Sequence, residues 1–260
     1  MNKNTVFASL CAAGLAMPLA ASAEIVSGNV VYEVDGERFE GYHARNTALG
    51  DDQPTVFIVH DWDGLTDYEK RRAEMLAEQG YAAFAVDMFG EGVRPESVDH
   101  RRALTGALYE DRERMRELVQ AGLDAMAEQS GFDPDRVVAM GYCFGGTVTL
   151  EMARAGMDVD GFVTFHGGLG TPEGQDYGDV PAPILVLHGT RDQAVTMEDV
   201  TDLVGRLDAE GVDFRMELYG GARHAFTVFG GDRYQPTADL RSWEALQDFL
   251  ADRIGTGRAL

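Results

Sequence analysis

Cysteine and basic residues are both scarce in this sequence. Its 260 residues include two cysteines, and 22 lysines and arginines stand against 44 aspartates and glutamates. The resulting net charge of −22 repels nucleic acids and anionic lipids, so we expect neither as a partner. No set of histidines, cysteines and carboxylates has zinc-like spacing, so we expect no metal site.

Long apolar runs are missing beyond the N-terminus, where the first 23 residues have the pattern of a cleavable signal peptide. Lys3 supplies a positive charge, 6–21 is an uncharged apolar stretch, and Ala21-Ser22-Ala23 is a small-residue cleavage site. The stretch is shorter than the roughly 20 residues of a typical spanning helix, and an N-terminal anchor is the alternative. We therefore predict a periplasmic or secreted protein, without membrane contact, in which residues 24–260 form a single domain.

Cleavage before Glu24 would remove Cys11 and leave Cys143 as the only cysteine of the mature chain. A disulfide within one chain would then be impossible. The remaining thiol must be buried and inert, paired between two chains, or reactive. A reactive thiol outside the cytoplasm is exposed to oxidants, so we expect it to be shielded when idle.

Strand patterns alternate with helix patterns along the mature chain. Strands are predicted over 30–34, 38–42, 55–60, 81–86, 136–140, 161–165, 184–187 and 213–219, and helices over 68–79, 111–129, 147–153, 197–209 and 236–254. This alternation is typical of an α/β fold with a mostly parallel central sheet and helices on both faces. The loops 90–96 and 167–183 fall at carboxyl ends of strands, where open α/β sheets bind ligands.

The segment from Gly141 to Gly146 reads Gly-Tyr-Cys-Phe-Gly-Gly and lies between a predicted strand and a predicted helix. A nucleophile flanked by glycines at a tight strand-to-helix turn is the nucleophile elbow of α/β-hydrolases. Here the nucleophile position holds Cys143, where most such enzymes carry serine. A glycine-rich turn with a buried structural cysteine is the alternative interpretation.

The elbow needs a base and an orienting acid, which in α/β-hydrolases follow the nucleophile in the order acid, then histidine. Asp192 and His224 occur in this order, and each follows a predicted strand. A loop aspartate is usually a cap and a loop histidine is usually solvated. Three such residues in the right order, each at the carboxyl end of a strand, predict a Cys143–His224–Asp192 triad.

The expected roles follow from acid–base chemistry. A thiol is mostly protonated at neutral pH and the thiolate is the nucleophile, so His224 would take its proton and later protonate the leaving group. Asp192 would hold the imidazole in the required tautomer. An oxyanion needs two backbone N–H donors, which we expect from Phe144, after the nucleophile, and from Trp62, in the loop after the third strand.

At this point the sequence resembles the dienelactone hydrolase family. The resemblance runs from about 30 to 254 and rests on the cysteine elbow together with His60–Leu65, Tyr81–Met88, His188–Asp192 and Arg223–Phe226. It implies an α/β-hydrolase fold and a compact single-domain enzyme without a metal or organic cofactor. The characterised type opens a dienelactone ring in the breakdown of chlorinated aromatic compounds.

Two positions refine this resemblance. Asp61 lies where the family typically carries a glutamate that contacts the resting thiol and helps convert it to thiolate when substrate binds, although the aspartate is one methylene shorter. Val228 lies four residues after His224, where the dienelactone enzymes carry an arginine for the substrate carboxylate. Arg94 and His166 are the remaining candidates for substrate contacts. We therefore do not expect a dienelactone to be the natural substrate.

The sequence thus predicts a hydrolase, a monomer or homodimer, that cleaves small esters or lactones through an acyl-cysteine intermediate. A thioesterase or general carboxylesterase is the alternative among enzymes. A binding or redox-sensing protein, in which Cys143 reacts with oxidants, is the alternative from another class.

Overall fold

The computed structural model describes residues 24–256. Residues 1–23, with the predicted signal peptide, and 257–260 lie outside the described part. The strands are β1 (Ile25–Val34), β2 (Glu37–Asn46), β3 (Gln53–Val59), β4 (Ala82–Val86), β5 (Phe132–Tyr142), β6 (Gly161–Phe165), β7 (Ile184–Gly189) and β8 (Phe214–Tyr219). The helices are α1 (Asp67–Glu78), α2 (Val98–Glu110), α3 (Arg112–Ala127), α4 (Phe144–Arg154), α5 (Met197–Glu210) and α6 (Pro236–Ile254).

The eight strands form one sheet in the order β1-β2-β4-β3-β5-β6-β7-β8. The first two strands are antiparallel to each other, and β2 is antiparallel to β4. From β4 to β8 all neighbouring strands are parallel. Their carboxyl ends therefore lie along one edge of the sheet. The predicted α/β-hydrolase fold is confirmed.

The centre of the sheet is buried on both faces because its strands carry mostly apolar side chains there. In β3, Phe57 and Val59 point into one hydrophobic cluster, whereas Val56 and Ile58 point into the other. The first cluster contains side chains of α3, α4 and α5, and the second contains side chains of α1 and α6. Within residues 24–256, no helix is both long and apolar enough to cross a bilayer.

Helix α2 is the element that the sequence analysis does not predict. Only Thr105 and Leu108 of its thirteen residues are buried, so the helix lacks the repeated apolar spacing that identifies an amphipathic helix. It begins at Ser97, whose side chain accepts the His100 backbone N–H. It ends at Asp111, whose side chain caps the start of α3. The predicted helix over 111–129 corresponds to α3 alone.

Candidate active site

Cys143 lies at a sharp turn between β5 and α4. Its backbone has φ 51° and ψ −108°, a conformation that costs a non-glycine residue about 1–3 kcal/mol and persists only where the surroundings fix it. A Cβ on Gly141 would lie 2.1 Å from the carbonyl group of Gly145. One on Gly145 would lie 2.1 Å from the Val59 carbonyl oxygen of the neighbouring strand. The glycines are thus required by close backbone approach, as the elbow motif predicts.

The structure brings Cys143, His224 and Asp192 together from three different loops. The Nε2 atom of His224 is 3.1 Å from the Cys143 sulfur. Its Nδ1 atom is 2.7 Å from Oδ2 of Asp192. Since an ionised carboxylate only accepts hydrogen bonds, Nδ1 carries the proton, and Nε2 is left to accept a proton from the thiol.

Asp192 is held as a carboxylate by several donors. Its Oδ1 accepts the backbone N–H groups of Ala194 at 2.8 Å and Val195 at 3.0 Å. Burial alone would raise the pKa of Asp192, but the bond to His224 and these backbone donors together lower it below its ordinary value. The loop after β7 therefore holds the Asp192 carboxylate in a fixed position beside His224.

The resting sulfur is in an environment that favours the neutral thiol. Burial raises the pKa of the Cys143 thiol well above its ordinary value, and the adjacent Asp61 carboxylate raises it further. The backbone N–H groups of Phe144 and Trp62 act in the opposite direction. The two predicted oxyanion donors are therefore both close enough to the sulfur to lower the pKa of the thiol.

Asp61 occupies a central position beside these groups. Its own pKa is raised to about 6, chiefly by burial and by the nearby Asp63. Its Oδ1 accepts the Trp62 backbone N–H at 2.5 Å, so this donor is engaged by a carboxylate in the resting protein. The shorter aspartate side chain is thus close enough to interact with the thiol electrostatically and also occupies one donor of the predicted oxyanion hole.

The two predicted substrate contacts differ in accessibility. Arg94 is half-buried, lies beside Gly64 and Phe89, and donates to its neighbour's carbonyl, that of Val93, at 2.8 Å. His166 is 1% exposed, so it packs behind the site and does not line an open pocket. Its Nε2 is bonded to the Thr227 hydroxyl at 2.8 Å. Burial, with the nearby His224 and His188, lowers the pKa of His166 well below its ordinary value.

Two residues of α2 that sequence reasoning missed lie at the site. The guanidinium of Arg101 lies 5.4 Å from the Trp62 ring. The Tyr109 ring packs 5.6 Å from the Phe144 ring and is close enough to Cys143 for the thiolate charge to raise the pKa of its phenol, although burial is the larger cause. The spacing of these residues, eight apart and on one helix face, could have identified them only if α2 had been predicted.

The other histidines next to the site have structural partners. His60 accepts the Met88 backbone N–H at its Nε2 and is bonded through Nδ1 to the Asp61 carbonyl. His188 is bonded through Nε2 to the Val195 carbonyl. Among residues 24–256, no group of three or more histidines, cysteines and carboxylates is arranged to hold a metal ion.

Comparison with known proteins places this architecture in a family. A profile of the dienelactone hydrolase family matches residues 39–254. Protein usf of Aquifex pyrophilus is 28% identical over 231 residues, covering 86% of this chain and 98% of its own. A protein of Aquifex aeolicus (strain VF5), provisionally named a carboxymethylenebutenolidase, is 27% identical over 227 residues, covering 85% and 96%.

Solved structures give the same result. The crystal structure of a dienelactone hydrolase-like promiscuous phosphotriesterase from metagenomic libraries is 32% identical to this chain and superposes with a TM-score of 0.84. The match covers 90% of this chain and all of that one. By sequence and by structure, this chain belongs to the dienelactone hydrolase family of ester and lactone hydrolases.

Proposed function

We propose that this protein hydrolyses small esters or lactones through an acyl-cysteine intermediate formed on Cys143. The observation that carries the proposal is the position of His224, bonded on one side to the thiol sulfur and on the other to the Asp192 carboxylate. A nucleophile, a base and an orienting acid within hydrogen-bond reach of one another are the geometric signature of covalent catalysis.

The chemistry runs in two halves. His224 accepts the thiol proton as the sulfur attacks the substrate carbonyl carbon, and the carbonyl oxygen becomes an oxyanion. Collapse of this intermediate breaks the bond to the alcohol oxygen, which takes the proton from His224 and leaves a thioester on Cys143. Water, deprotonated by His224, then attacks the thioester and releases the carboxylic acid and the thiol.

The oxyanion is proposed to bind the backbone N–H groups of Phe144 and Trp62. Preorganised donors of this kind typically contribute about 3–4 kcal/mol each to transition-state stabilisation. Because Asp61 accepts the Trp62 N–H in the resting protein, its carboxylate must leave before the oxyanion can bind there. Movement or protonation of Asp61 would also remove the charge that disfavours the thiolate, which couples activation of the nucleophile to assembly of the oxyanion hole.

Substrate charge is where this chain departs from the dienelactone enzymes that it resembles. Val228 supplies no cation beside the catalytic histidine, so recognition of a substrate carboxylate would depend on Arg94 or Arg101. Arg101 is 26% exposed at its side chain and already faces Asp63 at 3.9 Å. We therefore propose neutral small esters or lactones as substrates at least as good as anionic analogues of equal size.

Export is the second part of the proposal, and it rests on the pattern of residues 1–23. Expression of the full chain in a bacterial host should yield periplasmic protein whose intact mass corresponds to a chain beginning at Glu24. Recovery of uncleaved protein in the cytoplasm would refute this proposal.

A substrate panel tests the reaction class. The panel contains p-nitrophenyl acetate, a neutral lactone, a carboxylated lactone, an acyl thioester and a neutral phosphotriester, the last because a similar protein is a promiscuous phosphotriesterase. We expect ester or lactone turnover that is lost on blocking the thiol. Preferential thioester turnover would favour the thioesterase alternative, and no turnover with rapid thiol oxidation would favour the redox-sensing alternative.

A further inference from the structure

Helix α1 carries two charged side chains that are removed from solvent, Glu69 at 0% exposure and Arg72 at 1%. Three residues apart, they project from adjoining positions on one side of the helix. A buried charge is costly unless surrounding groups bond to it. The partners of each residue therefore indicate what it holds in place.

Glu69 holds the loop that precedes α1. Its Oε2 accepts the backbone N–H of Thr66 at 2.8 Å, as part of an ordinary helix capping box, and also accepts the Thr66 hydroxyl at 2.9 Å. Its Oε1 accepts the backbone N–H of Asp61 at 3.2 Å. This third bond lies outside the helix and fixes the His60–Asp61 peptide, which is one peptide before the one that carries the Trp62 N–H, the proposed oxyanion donor.

Arg72 holds the loop that carries the proposed base. Its Nη2 donates to the Thr227 carbonyl at 2.9 Å and to the Asp239 carboxylate. Its guanidinium also lies 4.2 Å from the Phe229 ring. Thr227 and Phe229 follow His224 by three and five residues, so both contacts bear on the segment that positions the imidazole.

The Thr227 side chain connects this loop to groups that lie behind His224. Its hydroxyl is bonded to the Tyr68 hydroxyl at 2.7 Å and to His166 Nε2 at 2.8 Å. The His166 ring meets the His224 ring edge to face, with centroids 5.4 Å apart. The imidazole of His224 is therefore supported from behind by a network that begins at Arg72.

We propose that Glu69 and Arg72 are positioning residues through which α1 holds the oxyanion loop and the histidine loop in register with Cys143. This inference rests on the function proposed above. A single rigid helix is suited to this task because its two buried side chains cannot shift independently. A misplacement of about 1 Å in a catalytic group can cost roughly a hundredfold in rate.

Two reactions separate the roles of the two residues. Hydrolysis of p-nitrophenyl acetate requires the base and the oxyanion hole. Alkylation of Cys143 by iodoacetamide forms no oxyanion, and it depends less on the base as pH rises, because hydroxide can then remove the thiol proton. The variants are Glu69→Ala, Glu69→Gln and Arg72→Lys, with Glu78→Ala and Arg71→Lys as controls at exposed positions of the same helix.

We expect Glu69→Ala to lower kcat for the ester about a hundredfold, close to the loss of one oxyanion donor, while alkylation is largely retained. Glu69→Gln keeps an acceptor for the Asp61 N–H and should recover kcat to within about tenfold of wild type. Arg72→Lys should lower kcat about a hundredfold and slow alkylation at pH 7, but slow alkylation less at alkaline pH. The control variants should match wild type in both reactions.

A folded Glu69→Ala or Arg72→Lys variant with ester kcat within about threefold of wild type would overturn the proposal. Equal losses in both reactions for Glu69→Ala, or equally slow alkylation of Arg72→Lys at neutral and alkaline pH, would also overturn it, because they would indicate general loosening. If Arg72→Lys fails to fold, the double variant Arg72→Met/Asp239→Asn removes both charges, a replacement that buried pairs often tolerate. Ester turnover by Cys143→Ala at the wild-type rate would instead refute the proposed function. In that case, alkylation of Cys143 at pH 7 in Arg72→Lys would still test whether Arg72 positions His224.

Discussion

Replacement of Asp192 by asparagine tests the acid–base assignment most sharply, because the structure dictates how the amide must lie. The backbone N–H groups of Ala194 and Val195 converge on Oδ1 at 2.8 and 3.0 Å, so the amide oxygen must take that position. The amide NH2 then faces Nδ1 of His224. That nitrogen must become the acceptor, and the ring proton moves to Nε2, which faces the sulfur at 3.1 Å.

In this tautomer His224 cannot accept the thiol proton. The corresponding change in serine proteases lowers kcat about ten-thousandfold, equivalent to roughly 5.4 kcal/mol in the barrier. We expect a loss of that order for p-nitrophenyl acetate at pH 7. The loss should shrink at alkaline pH, because hydroxide can then remove the thiol proton in place of His224. Asp202→Asn, at an exposed ion pair on α5, is the matched control. A folded Asp192→Asn variant within about tenfold of wild type at pH 7 would refute the assignment.

Four further predictions concern the nucleophile, its neighbours and the substrate. Cys143→Ala should abolish ester turnover and leave the fold intact, while Cys143→Ser should fold but react far more slowly, as measured by kcat alongside thermal melting. Asp61→Asn removes the charge that raises the pKa of the thiol, so iodoacetamide should react faster at pH 7; an unchanged rate would show that Asp61 does not control the thiol. Val228→Arg should shift kcat/KM toward a carboxylated lactone over its neutral analogue, whereas a wild-type preference of about tenfold or more for the anion would indicate that Arg101 or Arg94 already recognises it. Burial raises the pKa of Glu69 from 4.5 to about 7, so the stability contributed by its protonated form is present below about pH 4.5 and is lost as pH rises to about 7. Relative to wild type, Glu69→Gln should therefore gain up to about 3 kcal/mol in the free energy of unfolding between pH 5 and pH 8, as measured by urea denaturation. A difference between the two proteins that does not change with pH would contradict the buried-carboxylate assignment.

The sheet and its order of elements are largely predictable from the sequence because the central strands contain continuous apolar runs, such as Val56–Val59 in β3. Strand β3 illustrates this point, since alternate residues face two different hydrophobic clusters and no polar face interrupts the run. Cys143, Asp192 and His224 could be grouped for a related reason. Each follows a strand of a parallel sheet, and the carboxyl ends of such strands lie along one edge.

The rest depends on three-dimensional contacts that a linear pattern does not carry. Helix α2 presents only two buried residues, so nothing in its periodicity marks Arg101 or Tyr109 as neighbours of the site around Cys143. Glu69 and Arg72 have the composition of an exposed helix surface, and only the packing of two loops against α1 reveals that they are buried. His166 ends a strand beside the site, as a substrate contact could, but it packs beneath the histidine loop.

Capture of the intermediate tests the central claim of covalent catalysis by Cys143 most directly. Wild-type protein mixed with p-nitrophenyl acetate, quenched in acid during the initial burst and digested, should yield one acetyl group on the peptide that contains Cys143. The acetyl group should be released by hydroxylamine, as a thioester is, and it should be absent from Cys143→Ala. A burst of p-nitrophenol with the acetyl group on another residue, or with no acetyl group on the protein, would contradict the account.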